Sequence, residues 1–389
     1  MDQGGRPKGR PPGKPLYRRI SEGMRERIIA GEWAPGEVLP TRRKLSQELG
    51  TTRITIDKAI SELVTEGYLS ATIGSGTYVV DRGPSAPETI DARRPSGRLE
   101  RLGVVLGTGV NNDPMSSVVE DHVYFGGIYR GIRQALTGTD VGASYFQVDG
   151  SGYLPLLERP VDACIIIAPT IQDLPAFRLL HRNMPLVVIG ISPTSEDDAA
   201  VPCIDTDNVA ASRAATEYLI EIGHRSIGIV DLAISHGNHF DRLQGYFDAI
   251  SANPEAVASF NNVLAYPAYD PVVWPSLLDR WISERLAAGN MPTALFVTDG
   301  EMTLAALQAL RKHGLSIPGD ISVVGFDDAQ VMSHLQPPVT TMRQPAHEMG
   351  RRAALRLIDR FASGDPLVDP AGLERFPCEL IVRQSTAPR

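Results

Sequence analysis

Three stretches near the amino terminus place apolar residues at helical spacing, and a hairpin pattern follows them. The apolar stripes of the predicted helices contain, in order, Leu16, Ile20, Met24 and Ile28; Leu45 and Leu49; and Ile56, Ala59, Ile60 and Leu63. Thr41 and then Thr51 or Thr52 are placed to cap the second and third helices, which Gly50 and Gly67 end. Two β-rich runs flank a Gly-Ser-Gly turn. The pattern predicts a winged helix-turn-helix of the α+β class over residues 16–80.

The long remainder of the chain alternates buried-strand patterns with amphipathic helices. Its aliphatic runs read LGVVL, ACIIIA, LVVIG, SIGIV, ALFV and ISVVGF, and helical stretches such as 207–222 and 300–314 lie between them. This alternation is typical of parallel sheets covered by helices on both faces. Nearly 290 residues exceed one ordinary lobe. We therefore expect residues 99–389 to form a two-lobed α/β body with a ligand cleft, joined to the first module by a Pro-, Ser- and Gly-rich linker at 81–98.

Charge separates the two parts. Residues 1–80 contain 13 Lys and Arg against 9 Asp and Glu, whereas the rest contains 25 against 37. A basic module on an acidic body favours a nucleic-acid partner for the module alone. We expect the leading segment 1–15 to be a flexible basic arm. It is either a disordered leader or an arm that contacts DNA, since Lys8–Pro11 resembles the Gly-Arg-Pro unit of minor-groove AT-hook peptides.

Several other protein classes are disfavoured by the sequence. No apolar run of about 18 residues and no secretory leader occurs, so we expect a cytoplasmic protein that does not enter a membrane. Cys164, Cys203 and Cys378 are isolated, and we expect neither a disulfide nor a metal cluster. His236 and His239 form a lone HxxH, which favours a loop or cleft-lining role over metal binding.

No catalytic motif is apparent, so we expect neither an enzyme nor a cofactor. A fusion of the first module to an aminotransferase-like domain is disfavoured because Lys312 is the only lysine after residue 58, and it lies near the end of an amphipathic helix. A sugar-binding module or carrier without a DNA-regulatory role remains the alternative function. The winged helix and the lack of a secretory signal oppose it.

The first module resembles the GntR family over about 55 residues, with its turn glycines and Pro40 in register. The resemblance implies that Arg43 and Arg53 contact DNA, that Thr52 and Thr55 flank the second arginine, and that Gly74 lies at the wing tip. Asp57 stands where many members carry a further arginine, so neighbouring Lys58 is expected to supply that charge. For each arginine the alternative is a solvated helix surface.

The body resembles the effector domain of the LacI/GalR family, most densely in DNVAASRAATEYLIEIGHRSIGIV, RLQGYFDAI and the region from TDGEMTL to RRAALRLI. Sugar hydroxyls are bound by carboxylates, guanidinium groups and aromatic faces. The resemblance places Arg242, Asp299 and Asp327 in such a site. It also shows two departures, because Thr298 replaces a ligand-contacting Asn and Gly190 stands where several members carry an acid.

Each effector-site assignment has a structural alternative. Asp299 and Asp327 are also placed to cap helices, and Arg242 could form a structural ion pair. Trp274 and Tyr269 are candidate stacking platforms or core residues. A GntR-type winged helix on such a body is the architecture of arabinose-repressor-type regulators.

The resemblance therefore predicts a transcriptional regulator, acting as a repressor of carbohydrate-utilisation genes and controlled by a sugar or sugar-derived effector. Its partner is a double-stranded operator, bound by a homodimer. Helix 344–362 is expected to return to the first lobe and to join the dimer interface.

Overall fold

The structure is a computed structural model. It describes residues 16–29, 32–34, 36–52, 55–56, 59–60, 63, 68–72, 76–79, 98–107, 123–148, 152–193, 201–232, 237–256, 262–266, 273–364 and 372–389. The chain divides into two compact units, residues 1–91 and 92–389. No helix among the described residues is long and apolar enough to span a lipid bilayer.

The first unit contains the elements of a winged helix-turn-helix. Its regular elements are α1 (Leu16–Ile29), α2 (Arg42–Glu48), β1 (Leu69–Thr72) and β2 (Gly76–Val79). The two strands pair antiparallel with Leu69 opposite Val79, and Val38 bridges to Tyr78. The described residues of the third predicted helix are helical, and Ile56 and Leu63 are fully buried in the core of this module. The apolar stripes therefore meet in one small core.

The first lobe of the second unit is built on a six-stranded sheet. Its elements are β3 (Arg101–Leu106), α3 (Val123–Leu136), β4 (Gly142–Gln147), β5 (Ala163–Ile167), α4 (Leu174–His181), β6 (Leu186–Ile189), β7 (Pro202–Thr206) and β13 (Gly372–Phe376). The strand order is β13-β7-β6-β5-β3-β4, and all five pairings are parallel. β5, β6 and β7 are buried throughout, which explains their continuous apolar runs.

The second lobe repeats this layered architecture. Its elements are α5 (Asn208–Glu221), β8 (Ile227–Leu232), α6 (Gly237–Ala252), β9 (Val263–Tyr266), α7 (Trp274–Ala287), β10 (Ala294–Val297), α8 (Gly300–Lys312), β11 (Ser322–Phe326), β12 (Thr340–Arg343) and β14 (Glu379–Ile381). The strand order is β14-β12-β11-β10-β8-β9, and only β14 runs antiparallel to its neighbour. The predicted fold class is thus confirmed.

Helix α9 (Ala346–Ala362) leaves the second lobe and packs on the first, as expected from the sequence. Met349, Ala353 and Leu357 join Ile128 of α3 in the first-lobe core. Glycines make the close approach possible, because a Cβ at Gly131 would collide with the backbone of α9. The chain crosses between the lobes after β7, β12 and β13, and these crossings bring the carboxyl ends of both sheets together.

Candidate functional site

The predicted DNA-contacting residues that the structure describes lie on the second helix and at the start of the third; they are Arg43, Thr52 and Thr55. Thr41 caps α2, its Oγ1 accepting from the amide of Lys44 at 3.4 Å. Arg43 lies in the first turn of this helix, and its side chain is outside the described part of the structure. Thr52 is exposed and caps the third helix, because its Oγ1 accepts from the amide of Thr55 at 3.3 Å. Thr52 therefore has a structural role as a helix cap, and its contact with DNA stays a prediction.

Other predicted residues lie outside the described residues. These are Arg53, Lys58 and Gly74 of the first unit, Tyr269 and His236 of the second, the segment 1–15 and most of the linker. Their predicted roles stay predictions.

Arg242, on α6, lies at the carboxyl edge of the second-lobe sheet and is 4% exposed. Its Nε donates to Asn208 Oδ1 at 2.9 Å and its Nη1 to the carbonyl of Thr298 at 2.6 Å. The guanidinium carbon lies 4.0 Å from the ring centroid of Phe326. These contacts hold the plane of the guanidinium at the interlobe edge. Its hydrogen-bond partners among the described residues are neutral, so these contacts are not those of the structural ion pair that the sequence left open.

Asp327 links the second lobe to a crossing segment. Its Oδ1 accepts from Gln344 Nε2 at 2.5 Å, and its Oδ2 accepts from the amide of Gly300 at 3.1 Å. Gln344 Oε1 in turn accepts from Thr206 Oγ1 of β7 at 2.6 Å. Thr206 belongs to the first lobe, so one amide side chain connects the predicted effector carboxylate to the opposite sheet.

Asp299 begins α8, and its Oδ1 accepts from the amide of Met302 at 2.9 Å. The capping role considered from sequence is therefore present. Thr298, which stands where the family carries Asn, is completely buried. Its hydroxyl donates to Asp231 and is 3.3 Å from the carbonyl of Val230, so it points into the lobe.

The role predicted for Trp274 is wrong. The side chain is 1% exposed and packs with Leu278, Trp281 and Ile282 in the second-lobe core. A ring buried to this degree presents no face on which a sugar could stack. The recurrence of apolar residues at 274, 278 and 281 is the helical spacing that could have identified it as core.

His239 is buried beside a carboxylate. Its Nδ1 lies 2.8 Å from Asp231 Oδ1, at the end of β8, and Asp231 is fully buried. This pair joins α6 to the strand beneath it, close to Arg242. Among the described residues, no group of three or more His, Cys, Asp or Glu side chains is arranged to hold a metal ion.

The first lobe contributes groups that the sequence did not single out. Asp205 of β7 is 1% exposed, and its carboxylate accepts from the amide of Thr206 at 2.8 Å and from Ser192 Oγ at 3.2 Å. Burial raises the pKa of Asp205 to about 7, although these hydrogen bonds and Arg242 oppose the shift. A carboxyl that titrates near neutrality therefore faces the second lobe.

Tyr124 of α3 is the second such group. Burial raises the pKa of its phenol well above the ordinary value, and Asp205 and Asp327 add to this while Arg242 opposes it. The hydroxyl oxygen would lie 2.7 Å from a Cβ at Gly190, whose φ is +85°. Tyr124 thus fills the space at the position where several family members carry an acid. Nothing in the local pattern around residue 124 indicates this role.

Two parts of the chain match known protein families. Residues 16–79 match the gntR family of bacterial regulatory proteins, and residues 216–386 match the periplasmic binding protein-like domain. The chain therefore joins a gntR-type DNA-binding module to a periplasmic-binding-protein-like body, the architecture of a transcriptional regulator.

Individual proteins are similar to all or part of this chain. The arabinose metabolism transcriptional repressor of Geobacillus stearothermophilus is 28% identical over 96% of this chain and 98% of its own length. Among solved structures, a transcriptional regulator CelR–cellobiose complex superimposes with a TM-score of 0.63 at 22% identity, covering 89% of this chain and all of that one. A dimeric Lac repressor does so with a TM-score of 0.61 at 21% identity, over 74% of this chain and all of that one.

Proposed function

We propose that this protein is a repressor of carbohydrate-utilisation genes, and that a sugar or sugar-derived effector bound between the lobes controls its affinity for an operator. The observation that supports this most strongly is similarity over nearly the whole chain to a repressor of arabinose metabolism. Similarity confined to the body would be compatible with a sugar carrier. Similarity that also includes the DNA-binding module favours the regulator.

The contacts between the lobes suggest how effector and operator are coupled. An effector that bonds to Asp327 competes with Gln344 for the same carboxylate oxygen. Gln344 also accepts from Thr206, whose hydroxyl lies 3.6 Å from Met349 Sδ on α9. A change at Asp327 therefore reaches the helix that packs on the first lobe. The effector can shift operator affinity only by binding the two arrangements of the lobes unequally.

A symmetric homodimer would present two recognition helices to a pseudo-palindromic operator. The dimeric state of the Lac repressor relative supports this assembly. We propose that the exposed side of α9 takes part in the interface; it includes the exposed residues His347, Arg352 and Asp359. Sedimentation of the full chain with and without operator DNA tests the assembly, and a stable monomer in both conditions contradicts it.

Operator binding is tested with the Arg53→Ala variant and DNA from the chain's own promoter region. Fluorescence anisotropy is expected to show affinity for the specific site falling by about tenfold or more, because a bidentate arginine contact contributes about 1–3 kcal/mol of base discrimination. Binding to unrelated DNA should change much less. Arg213→Ala is the matched control, since Arg213 is an exposed arginine of the body paired with Glu217.

The same assay tests effector control. Adding the effector to the unmodified protein should change operator affinity. If Arg53→Ala binds the specific site as tightly as the unmodified protein does, the assignment of operator contact to Arg53 is wrong. If no carbohydrate changes the operator affinity of the unmodified protein, effector control by a carbohydrate is wrong.

A further inference from the structure

A buried carboxylate near the end of β8 bonds to two other elements of the second lobe. Asp231 is completely buried, and its Oδ1 lies 2.8 Å from the Nδ1 of His239 in the first turn of α6. The hydroxyl of Thr298, the residue after β10, donates to the same oxygen. With a carboxylate as the acceptor, the imidazole donates from Nδ1. Asp231 therefore ties the start of a helix to the end of a neighbouring strand.

Arg242 lies between these two contacts. It follows His239 by one turn on α6, and its Nη1 donates to the carbonyl of Thr298 at 2.6 Å. Thr298 thus accepts from Arg242 with its backbone oxygen and donates to Asp231 with its hydroxyl. The carboxylate therefore holds both the helix that carries the guanidinium and the residue to which the guanidinium donates.

The contacts of Asp231 have no substitute nearby. Its Oδ2 is buried and has no hydrogen-bond partner among the described residues, so the bonds from His239 and Thr298 both fall on Oδ1. A buried carboxylate that loses one of its two donors is poorly compensated and turns toward any other donor it can reach. Removing the imidazole should therefore change the orientation of Asp231 and, with it, the position of Thr298.

The rest of α6 is anchored independently of this pair. Ser212 Oγ of α5 donates to the carbonyl of Arg242 at 2.5 Å. Gly245 approaches the same helix so closely that a Cβ there would lie 2.2 Å from the carbonyl oxygen of Val209. Loss of the His239 contact should therefore leave α6 on α5 and act on the guanidinium of Arg242.

We propose that Asp231 and His239 are positioning residues for effector binding, and that they act by holding the guanidinium of Arg242 at the interlobe edge. The proposal rests on the effector function proposed above, because it gives this pair a part in the response to the effector. Contact with the effector is not required, since Asp231 is fully buried and His239 is 6% exposed.

Hydrogen exchange of the Arg242 side chain tests the positioning without any effector. The full-length protein is labelled with ¹⁵N-arginine, and the Nε–H signal of Arg242 is assigned by its absence from Arg242→Lys. In the unmodified protein this proton should exchange slowly, because Nε donates to Asn208 at 2.9 Å in a buried region. His239→Leu removes a donor to Asp231, and exchange is expected to become about tenfold faster or more.

Two variants separate positioning from packing. His239→Asn places an amide nitrogen as many bonds from the backbone as Nδ1, so it can donate to Asp231 and should restore exchange to within about twofold of the unmodified rate. Thr298→Val removes the other donor to Asp231 and keeps the shape of the side chain. It should accelerate exchange in the same direction, and it decides the question if His239→Leu does not fold.

His313→Leu is the matched control. His313 Nε2 is bonded to Asp279 Oδ1 at 3.2 Å, a second pair of imidazole and carboxylate in the same lobe. It follows the end of α8 that is distant from Thr298. Exchange of the Arg242 Nε–H should be unaltered in this variant.

Operator anisotropy measures the consequence for the response. L-Arabinose, D-ribose, D-glucose and cellobiose are titrated, and the sugar that changes the operator affinity of the unmodified protein is used for the variants. His239→Leu should need at least about tenfold more of that sugar for the same response, because a binding group must be held in place by its neighbours. His239→Asn and His313→Leu should respond as the unmodified protein does. Operator affinity without sugar should be unchanged, since the pair lies in the other compact unit.

The outcomes distinguish this proposal from the function on which it rests. Unchanged exchange of the Arg242 Nε–H in His239→Leu overturns the positioning role, and so does failure of His239→Asn to restore slow exchange. A normal sugar response in His239→Leu also overturns it, because the pair would then have no part in effector binding. If none of the four sugars changes operator affinity, the carbohydrate effector function fails, whereas the exchange rates still decide whether His239 holds Arg242.

Discussion

The two lobes bring different chemistry to the space between them. The second lobe presents fixed polar groups: Arg242 is held by Asn208 and the Thr298 carbonyl, and Asp327 is held by Gln344 and the Gly300 amide. The first lobe presents Asp205, an acid whose pKa is raised to about 7, and the Tyr124 phenol against Gly190. The second lobe therefore supplies directional bonding, whereas the first supplies shape and a titratable charge.

The largest effect on effector response and stability is expected when Arg242 of the second lobe is replaced by alanine. Arg242→Ala leaves Asn208 Oδ1 and the Thr298 carbonyl without their donor in a buried region. We expect the operator response to effector to be abolished and the body to lose about 3 kcal/mol of unfolding free energy. Operator binding without effector should persist, because Arg242 lies in the other compact unit.

Circular dichroism melting and operator anisotropy measure these two effects. Arg213→Ala, on the neighbouring helix α5, is the control and should leave stability nearly unchanged, because solvent screens this exposed ion pair. If Arg242→Ala still responds to the effector, Arg242 of the second lobe is not required for binding the effector.

The shape of the first lobe is tested at Gly190. An alanine there must adopt a φ of +85° and meets the Tyr124 hydroxyl at 2.7 Å. Gly152 has a φ of +75° with open space around its Cβ, so Gly152→Ala measures the backbone cost alone, about 1 kcal/mol. Gly190→Ala should cost about 2–3 kcal/mol in urea unfolding, because overpacking adds to the strain.

Tyr124→Phe removes the hydroxyl that a Cβ at residue 190 would meet. In the Tyr124→Phe background, Gly190→Ala should therefore cost no more than Gly152→Ala. Equal losses for the two alanine variants in the unmodified background would mean that Tyr124 does not shape the site.

This contrast also explains which parts were predictable from sequence. Arg242 and Asp327 lie in motifs with a strong family pattern. The family domain matches residues 216–386, which include most of the second lobe and the crossings after β12 and β13. The helices and strands followed from apolar periodicity because burial repeats with their geometry. Asp205 and Tyr124 lie inside a strand and a helix, and they become site residues only when α9 and the crossings bring the lobes together. Trp274 was misassigned because it was considered as part of the preceding loop, whereas the apolar spacing at 274, 278 and 281 is that of the buried face of α7.

The titratable charge of the first lobe produces the smallest expected effect. The folded-state pKa of Asp205 is about 7, above the value near 4 of an unfolded chain, so the folded protein binds more protons in that interval. Stability therefore falls as pH rises through this window and levels off above the folded pKa. Asp241 and Arg242 face this carboxyl with opposite effects on its pKa, and both remain in the variant below.

Asp205→Asn removes the carboxyl that binds this extra proton in the folded state. The test therefore compares how stability changes with pH and not the absolute stability of the two proteins. Between about pH 6 and about pH 7, the unmodified protein should lose roughly 1 kcal/mol more than the variant. Urea unfolding at several pH values gives the two slopes, and Asp320→Asn is the control because hydrogen bonds from Ser316 lower the pKa of that exposed carboxyl. Identical slopes for Asp205→Asn and the unmodified protein would show that the acid of the first lobe is not the group that titrates there. The first lobe would then contribute shape to the site but no titratable charge.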